Sequence, residues 1–145
     1  MTADDAFFGT IIRRAAKTYG LPCGNAFFVS EQRDARAPHL QRIPKGSRIG
    51  DPVLIFLTEG PDWSVVASRG LGGEMEGRWY EVPFAEIDGM TGFPEEQEPL
   101  RKRELDILRV EASSRSLQFR SSAGAEFFAF WNICRKLVEV SKRAV

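Results

Sequence analysis

The sequence predicts an α+β domain: a bent antiparallel β-sheet, or partly open barrel, capped by a C-terminal amphipathic helix and preceded by an additional N-terminal helix. Three observations carry that expectation. Apolar residues recur at helical spacing ahead of Gly20. From Asp51 to Arg120 the apolar runs shorten to strand length and alternate with turn residues. Beyond Ser122 a long aromatic stripe returns at helical spacing. With 145 residues, 43% of them apolar and eleven of them Phe, the chain is long enough for one domain with a substantial core. The expected division is an N-terminal helix over 1–20, a basic connection over 21–50, antiparallel strands over 51–122 and the closing helix over 123–142.

In the first element Phe8, Ile11, Ile12, Ala15, Ala16 and Tyr19 share one helical face. Thr2 is placed to cap its start, with Asp5 three positions on. Gly20 suits the C′ position, and Leu21-Pro22 stops the helix. Ala26 to Val29 reads as a short strand or a helical turn. The Arg- and Pro-rich stretch that follows is expected to be a long connection with at most one strand, near Leu40 to Ile43. Val53 to Thr58 and Trp63 to Ser68 form a hairpin across Glu59-Gly60-Pro61-Asp62. Gly70 to Gly77 holds four glycines and reads as a flexible connection. Arg78 to Phe84 is a strand that Ala85 to Ile87 continues past Pro83, and Met90 to Phe93 adds another. Glu95 to Arg103 is a charged loop. Glu104 to Val110 and Ser116 to Arg120 pair across Ala112 to Arg115, with Leu117 and Phe119 facing one way and Gln118 and Arg120 the other. In the closing helix Phe127, Trp131, Cys134 and Val138 fall at i, i+4, i+7 and i+11, widened by Phe130 and Leu137, with Ser122 as N-cap. Trp131 is expected in the core, where truncation to Ala costs about 3–5 kcal/mol.

Element order together with Trp-Tyr-Glu-Val-Pro-Phe-Ala-Glu-Ile at 79–87 and Glu-Phe-Phe-Ala-Phe-Trp at 126–131 resembles the bacterial pleckstrin-homology-like domains, over roughly residues 51–143. The resemblance implies a bent antiparallel sheet closed at one end by the terminal helix, and a non-enzymatic interaction or regulatory role. Phosphoinositide-binding members of that kind place Lys and Arg around the first hairpin. Here its turn carries Glu59 and Asp62, and the next base is Arg69, so a phosphoinositide is not the expected ligand.

Composition narrows the function classes. Net charge is zero, which argues against a dedicated nucleic-acid binder. Charge is nonetheless polarised: residues 33–48 hold Arg33, Arg36, Arg42, Lys45 and Arg48 against Asp34 alone, whereas 74–98 hold eight acids against Arg78. These runs read first as solvated loops that neutralise one another, and second as a patch, formed by those five cations, for an acidic protein partner, RNA or an anionic surface, with self-association through the opposite-sign patches as a related reading. Cys23 and Cys134 make no disulfide framework, the acidic N-terminus is unlike a signal peptide, and the longest apolar runs are too short to cross a bilayer, so a cytoplasmic protein is expected. No catalytic residue, metal ligand or cofactor is assigned. Two other classes remain open: a small-ligand domain with a pocket lined by Phe127 and Phe130, and a thiol enzyme pairing Cys23 with His39. The latter is weakened because Cys23 follows a helix C-terminus, where a thiolate is disfavoured.

Overall fold

The structure, a computed structural model, describes residues 3–22, 24–29, 37–93 and 105–143. Helix α1 (Ala3–Thr18) leads into strand β1 (Ala26–Phe28) and a short helix α2 (Ala37–Leu40). Strands β2 (Pro52–Leu57), β3 (Trp63–Ala67), β4 (Gly70–Met75) and β5 (Arg78–Pro83) follow, then a 3₁₀ turn at Phe84–Glu86. Strands β6 (Gly89–Phe93), β7 (Ile107–Ala112) and β8 (Arg115–Arg120) precede the closing helix α3 (Ala125–Arg143). The strands form two antiparallel sheets, one ordered β1-β2-β3-β4-β5 and the other β6-β7-β8. The fold is therefore α+β with a helix at each end of the described chain, and its strands do not close into a barrel. No helix among the described residues is long and apolar enough to cross a membrane.

Helix α1 ends as its sequence requires. Gly20 adopts φ +82°, its N–H bonds the Lys17 carbonyl at 3.1 Å, and the Leu21 N–H reaches back to Ala16 at 2.9 Å. That pair of bonds satisfies carbonyls that a helix end leaves open, and buried Leu21 seals the turn. The N-cap expected at Thr2 and the loop expected over Glu95–Arg103 lie outside the described residues. On α1, Ile12 and Ala16 are fully buried, but Tyr19 is 42% exposed and does not share their face.

The larger sheet is covered on both sides, which explains why β2 and β3 read as continuous apolar runs rather than alternating ones. Leu54, Phe56, Val66, Leu71 and Val82 enter the main core with β7, β8 and α3. Ile55, Trp63, Val65 and Ala67 face the other way and form a second cluster with Ile49, Leu40, Ile43 and Trp79. Residues 37–49 of the basic connection are thus a lid over the outer face. Its Leu40–Ile43 stretch, expected as a strand, is the end of α2 and a turn, closed by Arg42 and Ile43 N–H groups bonding back to His39 and Leu40. Strand pairing is not required there, because the sheet face below offers apolar contact instead.

Gly70 to Gly77 is no flexible connection: residues 70–75 are β4, paired on both edges. The glycines are there for close approach. A Cβ on Gly70 would stand 2.5 Å from the Val82 carbonyl oxygen and 2.7 Å from Ile49 Cγ2; one on Gly72 would stand 2.6 Å from the Trp79 ring and 2.9 Å from Ile49 Cδ1. The strand forms a trough in which Ile49 lies. Glu76 and Gly77, at φ 54° and 80°, then make the tight turn into β5.

Three further expectations change. Residues 84–86, expected to prolong β5, wind into the 3₁₀ turn, where the Ile87 N–H bonds Phe84. Ser122 does not cap α3; its hydroxyl donates to the Leu57 carbonyl at 3.0 Å and accepts from Asn25 at 3.1 Å, joining the sheet end to the helix start. The buried stripe of α3 is Phe127, Phe130, Ile133, Cys134 and Leu137, whereas Trp131 and Val138 flank it half-buried. Trp131 lies across Gly92 of β6, where an added Cβ would come within 2.8 Å of its ring.

Candidate functional site

The cations singled out by charge have specific positions. Arg33 and Arg36 lie outside the described residues. Arg42 grips Glu74 with two nitrogens, at 2.6 and 3.2 Å. The same carboxylate accepts the Trp63 indole N–H at 2.6 Å. Arg48 pairs with Glu86 at 3.0 Å, and its backbone N–H donates to Glu81 at 2.8 Å, while Trp79 Nε1 donates to the other Glu81 oxygen at 2.8 Å. Lys45 is exposed and makes no ion pair with a described residue. Basic lid and acidic strands therefore neutralise one another within the chain, with the two indoles as the second partners of the carboxylates. Burial raises the Glu81 carboxyl, but the hydrogen bonds from Arg48 and Trp79 outweigh it and hold the group below its ordinary value.

His39 belongs to this lid. Its ring stands edge-on to Trp63, centroids 5.1 Å apart, and its Nδ1 is buried without a hydrogen-bond partner. Burial, then the Arg42 charge, lowers its pKa, and Glu74 opposes that in part. The Cys23 that would complete a thiol pair lies outside the described residues. Cys134 is free and fully buried, and burial pushes its thiol far above the ordinary value. Phe127 and Phe130, the expected walls of a ligand pocket, are fully buried, Phe130 against Phe56 at 4.7 Å and Phe127 against Trp131 at 5.9 Å. Among the described residues no group of three or more His, Cys, Asp or Glu is placed to hold a metal ion.

An open, mainly apolar surface lies elsewhere, between the first and last helices. A groove of about 410 Å³ runs there, lined by Ile11, Arg14, Ala15 and Thr18 of α1, by Tyr19 just after it and by Lys136 of α3. Among the described residues two large apolar side chains stand exposed, Phe7 at 58% on α1 and Tyr19 at 42% in the turn just after it. Phe7, Ile11, Arg14 and Thr18 fall at i, i+4, i+7 and i+11, so they line up along one side of the helix. The buried side of α1 is fixed independently. Asp5 accepts from Ser68 Oγ at 2.8 Å and from Arg69 Nε at 2.8 Å, which ties the helix to the β3–β4 corner. Arg14 and Lys136 make no ion pair with any described residue. A wider apolar arc than one buried stripe needs, with bases on its border, is the signal in the sequence for such a surface.

A second, polar cleft of about 610 Å³ opens at the 58–62 turn and the start of α3. Its polar groups are largely spent on structure, the Arg120–Asp62 pair at 2.9 Å and the Asn25–Ser122 bond among them. Compared with known proteins, the chain matches no family model, no curated protein and no solved structure.

Proposed function

We propose that the chain is a non-enzymatic protein-interaction module of pleckstrin-homology-like type, which docks a protein partner along the α1–α3 groove. The observation that carries this reading is a mainly apolar groove between α1 and α3, with the two large apolar side chains exposed among the described residues, Phe7 and Tyr19, on and just after α1. Apolar surface left open at one place on a water-facing molecule is characteristic of an interaction site. The chemistry of the lid points inward: its arginines, and the indoles and carboxylates beneath it, are consumed by one another. The pleckstrin-homology-like part of the reading rests on element order, antiparallel strands followed by a helix that covers their core face. A cytosolic setting is inferred with it, in keeping with a buried free thiol at Cys134.

The test uses a photoreactive amino acid at Thr18, in the groove, and at Lys45, on the lid, in the full chain expressed in its native cells. A protein cross-linked from Thr18 and not from Lys45 is then purified and titrated against the wild-type chain and against Ile11→Glu. The reading expects binding that the substitution weakens by about tenfold or more, the order of a buried apolar anchor. Equal affinity for both chains refutes it.

A further inference from the structure

We propose that the occupant of the groove is an acidic amphipathic helix presented by the partner, an assignment that rests on the docking function just described. Four features of the groove select that chemistry. Its floor, Ile11 and Ala15, is apolar, while Arg14 stands on one wall and Lys136 on the other, neither paired with a described residue. Both helices have the same sign overall: Arg13, Arg14 and Lys17 on α1 outnumber Asp4 and Asp5, and Arg135, Lys136, Lys142 and Arg143 on α3 outnumber Glu126 and Glu139. A segment carrying carboxylates on both sides of an apolar stripe complements this arrangement.

Length and backbone chemistry favour a helix over an extended peptide. From Phe7 to Thr18 the helix rises about 17 Å, three turns, which matches apolar anchors at i, i+4, i+7 and i+11. Both walls are helices, whose backbone groups are already bonded within themselves, so neither offers a ladder to an added strand. An extended peptide would bring unpaired N–H and C=O groups onto an apolar floor; a helix arrives with its own satisfied. The groove is also preformed. Asp5 clasps α1 to the β3–β4 corner and the Gly20 turn fixes its end, so little ordering of the receptor is needed.

Two other occupants fit less well. A second copy of this chain would have to supply an acidic helix, yet both its long helices, α1 and α3, carry more bases than acids. An anionic membrane takes up apolar side chains from a crest, whereas Ile11 and Ala15 form a recessed floor between two helices.

The experiment uses labelled peptides of about fifteen residues. One carries Leu at the four helical anchor positions and Glu between them; a second has the same composition scrambled, and a third has Lys for Glu. Fluorescence anisotropy and amide chemical shifts are read on the full chain, with Arg14→Glu/Lys136→Glu and Arg14→Lys variants whose melting matches wild type. The acidic amphipathic peptide is expected to gain helicity on binding and to shift Ile11, Ala15, Thr18 and Lys136. Its affinity should fall about tenfold between roughly 0.05 and 0.5 M salt, and by at least as much in the double variant, with Arg14→Lys retaining it. Equal binding of the scrambled or Lys peptide, shifts confined to other surfaces, or preference for phosphatidylserine vesicles over the peptide would overturn the assignment. If the groove variants lose the cross-linked partner but the acidic helix neither binds nor competes, the helical occupant falls and the docking function stands. If those variants keep the partner, the docking function itself falls.

Discussion

Replacing Gly70 with Ala tests how tightly β4 is seated. The added methyl would sit 2.5 Å from the Val82 carbonyl oxygen and 2.9 Å from Pro83 Cα, both backbone atoms of the paired strand. Relief requires the β4–β5 ladder, in which Gly70 faces Pro83, to move by most of an ångström. Overpacking of this sort costs about 1–3 kcal/mol, and a fixed backbone places the site towards the upper end. Against that, Ala lowers the entropy of the unfolded chain and returns about 0.4–1 kcal/mol. The net expectation is a loss of about 2 kcal/mol. Gly89 supplies the control, since it also lies in a strand but nothing stands within 4 Å of its added Cβ. Gly89→Ala should gain about 0.4–1 kcal/mol by the entropic effect alone. Urea unfolding measures both, and with slopes of about 1–3 kcal/mol per molar the two midpoints should differ by about 1 M or more. Coincident midpoints would show that β4 has slack and that its glycines are not there for close approach.

In α3, Phe130→Ala should cost about 3–5 kcal/mol because the ring is fully buried against Phe56, whereas Trp131→Ala should cost clearly less, its ring being half-buried; the reverse order in urea melts would place the stripe wrongly. In a Cys23→Ser background, Cys134 should resist iodoacetamide at about pH 8.5 in the native state and react once urea unfolds the chain, as mass spectrometry would show; rapid native labelling would contradict its burial. His39 and Glu81 are both held below their ordinary values in the folded state, so the unfolded chain takes up each proton first. Stability should therefore be intact above about pH 7, fall as pH drops through the imidazole range, and fall again through the carboxylate range. His39→Gln should remove the upper part of that slope and leave the lower, and an unchanged profile would refute the attribution.

Much of this architecture is written locally in the chain. The Gly20-Leu21-Pro22 stop, the β2–β3 hairpin, the β7–β8 hairpin and the aromatic helix each follow from short-range pattern, because the residues that fix them are neighbours. Where the pattern misleads, the cause is a partner remote in sequence. Gly70, Gly72 and Gly73 look like slack until Ile49, Trp79 and the Trp63 backbone are brought against them. Residues 37–49 look like a solvated basic loop until the outer face of the sheet is seen to be apolar, and opposite charges at Arg42 and Glu74 become a pair only in the fold. The groove is harder still to foresee. Tyr19 joins the apolar arc of α1 in a helical projection, and nothing nearby tells which half of that arc the core takes and which half stays open beside Lys136.

The two walls of that groove come from opposite ends of the described chain, with every strand between them. Anything lodged there is a strap across the molecule, holding its first helix to its last. Fraying of either helix would then register as weaker binding, and a lodged partner would shield both from proteases by the same free energy, in proportion to its concentration. Occupancy becomes a readout of whether the whole intervening fold is intact.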